Sequence, residues 1–243
     1  VRSIGILVAL PDEGRTLIRR RLSFESLTPL PGGHWLAVAG AGPEAAERHA
    51  QSLVDKGIEG LVSWGCAAAL EDTLLPGTLL LPERVRCVEG LEHAVDPHWH
   101  AAVKGILEPQ HAPRTETLIE STVVVASAKD KRSLHETSGA YAVDMESAAV
   151  ARVAASSALP FLVIRSVADP ARLNFPPALL KALNPRGDVR MGTLLAGLLQ
   201  KPRAIPELMT LGRHFGAAMK TLDSVRSLLG DDFQYPKNRS TPS

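Results

Sequence analysis

Residues 140–170 read AYAVDMESAAVARVAASSALPFLVIRSVADP, and the changes of period along them decide the fold. Ala140 to Met145 alternates weakly and ends in acids. Glu146 opens an Ala-rich helix to about Ser157, and Phe161 to Val167 is an apolar, β-branched run of the kind buried on both faces of a sheet. Asp144 and Glu146 therefore stand at a strand-to-helix junction, and Asp169 lies just past the next strand. Open α/β sheets bind ligands outside the carboxyl ends of their strands. Singly, each acid has a plain structural reading: Glu146 complements a helix N-terminus, and Asp169 before Pro170 forms a turn. Together, with Arg165 in the same strand, they point to a site.

Outward from this unit the same alternation continues. Strands are predicted at 3–10, 34–40, 60–67, 78–86, 122–128, 140–145 and 161–167, with another near 24–29. Helices are predicted at 12–21, 43–56, 98–107, 129–138 and 146–157, with three more in the tail. The pattern predicts an α/β three-layer sandwich with a central mixed, mostly parallel sheet flanked by helices. Pro- and polar-rich linkers are expected at 108–114 and 173–177. Residues 1–230 are read as one domain, with a basic helical extension over 172–230 and a disordered end over 231–243.

The chain has 243 residues, 45% apolar composition and a net charge of +1. Such a balance argues against a nucleic-acid binder, which must neutralise many phosphates. No run approaches the roughly 20 apolar residues of a membrane span, and the start shows no cleavable leader, so a cytoplasmic protein is expected. Cys66 and Cys87 stand in unlike contexts and suggest neither a disulfide framework nor a zinc ribbon. His93, His98 and His100 fit no standard zinc spacing, so no metal is expected.

Charge is unevenly spread. Residues 178–230 carry +5 and residues 1–177 carry −4. Within the basic segment Leu208, Leu211, Phe215, Met219, Leu222, Val225 and Leu229 form a helical apolar stripe. It can pack on the domain or, over 204–229, rest on anionic lipid. No full GxGxxG follows the first strand, which disfavours a nicotinamide enzyme.

The sequence also resembles a known family. VDMESAAVA followed by LPFLVIRSVADP, GILVALPDEGRTL at 5–17, AGAGPEAAERHA from Ala39 and LVSWGCAAALEDTLLPGTLLLPERV at 61–85 are together similar to the purine nucleoside phosphorylase and methylthioadenosine/adenosylhomocysteine nucleosidase superfamily. The likeness runs from Ile4 to about Ala171. The tail, with PPALLKALNPRG and a long final helix, resembles the hopanoid-associated phosphorylases of that superfamily, implicated in removing adenine from adenosylhopane.

The resemblance implies cleavage of the N-glycosidic bond of a 5′-substituted adenosine by a homo-oligomer, with a small-molecule nucleoside that can be lipid-linked. Asp169 would donate a hydrogen bond to the purine, Glu146 would hold the ribose, and Met145 would lie under the sugar. Asp144, Arg165, Cys66, Ala67 and the backbone near Ala128 would complete the binding surface. Trp99, in an expected flap over 89–100, would line the 5′ pocket.

Two nucleophiles remain open. Water would use Glu13 as general base. Inorganic phosphate, as co-substrate, would sit on the turns at Gly40, Gly42 and Gly65; no other cofactor is implied, and the branch name favours phosphate. Three departures from the family stand against a simple transfer: only Arg15 offers an N-terminal loop arginine, Cys66 replaces a serine, and ASAKDK at 126–131 has no aromatic to stack on adenine. A purine-binding module without catalysis is the rival from another class.

Overall fold

The computed structural model describes residues 2–182 and 205–236. Ten strands form one mixed sheet: β1 (Ile4–Val8), β2 (Ser26–Pro29), β3 (Trp35–Val38), β4 (Gly60–Ala69), β5 (Leu79–Leu80), β6 (Arg84–Arg86), β7 (Glu92–Ala94), β8 (Leu118–Glu120), β9 (Ala142–Asp144) and β10 (Phe161–Asp169). The order is β2-β3-β1-β4-β9-β8-β6-β7. β4 is where the sheet forks. It runs parallel to β1 and to β10, and its end turns to pair antiparallel with β9 at Ala68 and Ala69.

Helices are α1 (Pro11–Gly14), α2 (Pro43–Val54), α3 (Pro97–His111), α4 (Ala128–Ser138), α5 (Ser147–Ser156), α6 (Pro177–Ala182) and α7 (Ile205–Leu229). They cover both faces of the sheet, and the two apolar clusters divide accordingly. One packs α2 and α5 on the sheet through Ala46, Ala50, Leu53, Ala148 and Ala151. The other packs α3 and α7 through Trp99, Val103, Leu107, Leu222 and Val225. β4 and β10 are buried along almost their whole length because helices lie on both sides of them.

Four expectations are corrected. The run predicted as a strand at 122–128 is a loop, and the strand is Leu118–Glu120. Val123 and Val124 are exposed, 66% and 43%, so their β-branched character serves something other than a ladder. The strand predicted at 78–86 splits around Pro82, which lacks the N–H a ladder needs, into β5 on β10 and β6 on β7 and β8. The first helix spans only Pro11–Gly14. The Thr16 hydroxyl donates to the Glu13 carbonyl at 2.6 Å, the local competition that shortens helices. The linker read at 108–114 begins as helix, since α3 continues to His111.

The end is also ordered further than expected. Phe233 and Tyr235 are buried; the Phe233 carbonyl accepts from Trp99 Nε1 at 2.8 Å, and the Tyr235 hydroxyl donates to the Glu59 carbonyl at 2.7 Å. Two aromatics in a polar tail were the missed signal. The rest of the expected disordered end, 237–243, and the tail between α6 and α7 lie outside the described residues. In α7 the apolar stripe packs on the domain from Ala218 onward, where Leu222, Val225 and Leu229 are fully buried. No helix among the described residues is long and apolar enough to cross a membrane.

Candidate active site

A cavity of about 260 Å³ opens at the carboxyl ends of β1, β4, β9 and β10, and four carboxylates line it: Glu13, Asp144, Glu146 and Asp169. Each arrives from a strand end or from the turn after it, as the sequence predicts. Met145, Cys66 and Ala67 also line it.

Glu13 follows β1 at the third position of α1. Its Oε2 accepts from Ala9 and Leu10 amides at 3.0 and 2.9 Å, which by itself would explain a helix-start glutamate. Its Oε1, however, reaches across to the Cys66 amide at 2.8 Å. Burial pushes its pKa up, opposed by the Arg165 guanidinium and these amides.

Glu146 accepts from the Gly42 amide at 2.9 Å. Burial raises it to about 7 against the pull of Arg165, with Asp144 adding to the rise. Arg165, fully buried in β10, holds this end together. Its Nη2 lies 2.7 Å from Asp144 Oδ2 and 3.6 Å from Glu146 Oε2, and donates to Ser63 Oγ at 2.8 Å. Burial would weaken the guanidinium's hold on its proton, but Asp144, Glu146 and Glu13 outweigh it. Ser147 opens α5, and its amide donates to the Asp144 carboxylate at 3.2 Å, as does its hydroxyl. The Cys66 thiol is raised well above its usual pKa by burial and by Glu13, so it stays protonated.

Asp169 stands at the other end of the cavity, at a register shift between β10 and β4. Such an irregularity re-aims a side chain at the end of a ladder. Its partner is Lys131, whose Nζ lies 2.6 Å from Oδ1, and Arg165 plays no part there. Burial raises Asp169 to about 6, and Lys131 opposes the rise.

Three expected contacts are not made. Trp99 does not line the cavity: it is fully buried on the far side of the sheet and edge-on to Tyr235 at 4.8 Å. None of residues 89–100 reaches the cavity, because that segment is a sheet-edge hairpin followed by α3. Ala128 starts α4, and its amide is taken by Asn174 Oδ1 at 2.8 Å. The amides expected to cradle phosphate are likewise engaged: Gly40 donates to the Ala9 carbonyl at 2.9 Å and Gly42 to Glu146.

Gly65 has a different task. Its φ is 148°, and a Cβ there would fall 2.5 Å from Glu13 Oε1 and 2.7 Å from Arg165 Nη1. Gly65→Ala is therefore expected to destabilise the fold by about 1–3 kcal/mol through overpacking and to lower activity further by displacing Glu13. Thermal unfolding beside steady-state rates checks both.

The sequence reading missed Lys131, and it missed the apolar wall formed by Val123, Val124, Val125, Phe175 and Phe215. One signal for Lys131 was legible. In α4 the sole large apolar residue is Leu134, so the inward face must also carry position 131, one turn earlier.

Residues 3–176 match the Phosphorylase superfamily. The chain belongs to this superfamily. Among curated proteins no sequence match is found. Solved structures similar to it include a methylthioadenosine/adenosylhomocysteine nucleosidase of Helicobacter pylori, at 19% identity and TM-score 0.65 over 93% of this chain and 98% of that one. A futalosine hydrolase of the same organism is similar at 19% identity and TM-score 0.66, again over 93% and 98%. So is a methylthioadenosine/adenosylhomocysteine nucleosidase of Neisseria meningitidis, at 17% identity and TM-score 0.66 over 94% and 100%.

Within this superfamily fold the cavity walls hold carboxylates and no lysine or arginine among the described residues. A trio with metal-ligand chemistry, Cys87, Glu89 and Glu120, lies elsewhere, its ligand atoms within 4.8 Å of one another. Arg152 already supplies positive charge there, 3.2 Å from Glu120 and 3.5 Å from Cys87 Sγ.

Proposed function

We propose that the protein hydrolyses the N-glycosidic bond of a 5′-substituted adenosine, with water activated by Glu13. The observation that carries this reading is the charge of the cavity. Four carboxylates face one space, the amides of Gly42 and Cys66 already bind two of them, and among the described residues no cationic side chain lines the walls. A phosphate dianion would meet repulsion from those carboxylates with no lysine or arginine of the described residues on the walls to offset it, whereas a water molecule beside a carboxylate is turned into a nucleophile.

The roles divide by position. Asp169, protonated in part because it is buried, donates to the departing purine. Glu146 accepts from the ribose hydroxyls and gains strength as the sugar becomes cationic, which lowers the barrier rather than only tightening binding. Met145 lies beside the sugar as an apolar floor. Phe175 supplies the aromatic surface missing from 126–131.

Val123, Val124 and Phe215 extend the apolar wall toward solvent, which suits a 5′ substituent that is large and apolar. With the likeness of the tail to hopanoid-associated phosphorylases, adenosylhopane is the first substrate to try. The nucleosides named for the similar structures, methylthioadenosine, adenosylhomocysteine and futalosine, follow it.

The test is chromatographic detection of free purine from each nucleoside, with and without phosphate, in isotopically labelled water. Phosphate-independent release with label in the sugar supports hydrolysis. A sugar phosphate would instead support phosphorolysis, and no release from any of them would sink the substrate class. Glu13→Gln is expected to lower the hydrolytic rate by about 10²–10⁴-fold, the usual contribution of a general base, while leaving substrate binding near wild type by calorimetry.

A further inference from the structure

Lys131 belongs to no wall of the cavity, yet it touches the residue on which the leaving base depends. Its side chain is fully buried beneath α4. Nζ donates to Asp169 Oδ1 at 2.6 Å, to the Pro170 carbonyl at 3.0 Å and to the Leu173 carbonyl at 3.1 Å. An ammonium has three N–H donors and no acceptor. All three are used, so none is left for a substrate.

Two further bonds tie the same helix start to the same loop: Ala128 N–H to Asn174 Oδ1, and Phe175 N–H to the Ala126 carbonyl at 2.9 Å. The Phe175 ring, part of the cavity wall, lies with its centroid 5.7 Å from Nζ. One lysine thus fixes both the carboxyl and the segment that carries the aromatic wall. For holding a loop alone, burying a charge is a poor solution, because apolar packing is often as stabilising as a buried ion pair.

We propose that Lys131 is a positioning residue for the leaving base: its ammonium pins Oδ1 of Asp169, presents the other carboxyl oxygen to the purine, and sets how readily that carboxyl gives up its proton. The inference rests on the hydrolytic reading of the cavity. Burial lowers the proton affinity of Lys131 while Asp169 sustains it, so the pair keeps its charge by mutual support. The other ionisable groups lining the cavity are Glu13 after β1, Cys66 on β4, and Asp144 and Glu146 at the β9–α5 junction. They interact with one another and with Arg165, and Lys131 is the charge that acts on Asp169. Arg172, in the loop beyond Asp169, is paired with Asp72 at 2.7 Å.

The test is the pH profile of kcat/KM for purine release in wild type, Lys131→Met, Lys131→Gln and Lys131→Arg. Rate needs the protonated Asp169, so it falls as pH rises through the Asp169 midpoint. Removing the neighbouring cation is expected to move that alkaline limb upward by about one to three pH units in the Met and Gln variants, and the Arg variant should stay near wild type. A uniform loss of rate with no movement of the limb would mean a purely structural lysine and would overturn the inference. So would an unchanged profile.

Carbon-13 NMR titration of the Asp169 carboxyl, assigned by its absence in Asp169→Asn, reads the same shift without turnover. If wild type releases no purine, the hydrolytic reading fails. The link between Lys131 and Asp169 is then judged by this titration alone, and an unmoved midpoint in the Gln variant refutes it.

Discussion

Arg165→Met is expected to destabilise the protein by about 3–5 kcal/mol at neutral pH, the cost of leaving buried charge unpaired. The guanidinium, itself fully buried, sits among Asp144, Glu146 and Glu13, and it lowers the proton affinity of both glutamates. Without it, those two carboxyls would take up protons well above the unfolded values of about 4.3.

The sign follows from linkage. A group whose folded pKa is raised binds more protons in the native than in the unfolded state, so stability is lost as pH rises from the unfolded toward the folded value. The variant should therefore suffer least near pH 5, where its carboxyls are neutral, and most near pH 8. Urea unfolding at the two pH values measures this. An equal loss at both would mean that packing, and not charge, is what Arg165 contributes.

Asp169→Asn is expected to lower purine release by about 10²–10⁴-fold, the usual worth of a positioned general acid. The amide matches the carboxyl in size and can still accept from Lys131, so the fold should survive. What it lacks is an acidic proton: its NH2 can donate a hydrogen bond but cannot transfer a proton to the leaving base. The loss should therefore depend on the leaving group: a purine needs protonation as it departs, whereas the 4-nitrophenolate of an aryl riboside does not. Comparing both substrates in wild type and variant decides the matter, and an equal loss on the two would remove Asp169 from the role of acid. In wild type the acid form is lost as pH rises through about 6, so the purine reaction should show an alkaline limb there that the aryl riboside lacks.

Much of the site was legible because its acids are local features of the chain. Glu13, Asp144, Glu146 and Asp169 each sit at or just beyond a strand end, and the periodicity of 140–170 located two of those ends, which carry three of the acids, within a few residues. The aromatic anchor was misplaced for the opposite reason. Trp99 stands where the His-rich stretch read as a flap meets the helix predicted from 98, but the indole turns away from the cavity because Phe233, more than a hundred residues on, accepts its N–H. Nothing in the local sequence carries a contact of that range. The valines at 123–125 failed similarly, since β-branched residues suit a strand and a cavity wall alike.

By itself, then, the sequence determined the layers, the mostly parallel sheet and the acids at its carboxyl edge, because hydrophobic period and chain direction dictate all three. Tertiary structure alone decided how those acids are charged. Arg165 and Lys131 are two cations with no local signal of their partners, and each serves one end of the cavity: Arg165 holds Asp144 and Glu146, and Lys131 holds Asp169. Burial raises a carboxyl and a neighbouring cation lowers it, so the division of work between Glu13, Glu146 and Asp169 is written in distances that exist only once the chain has folded.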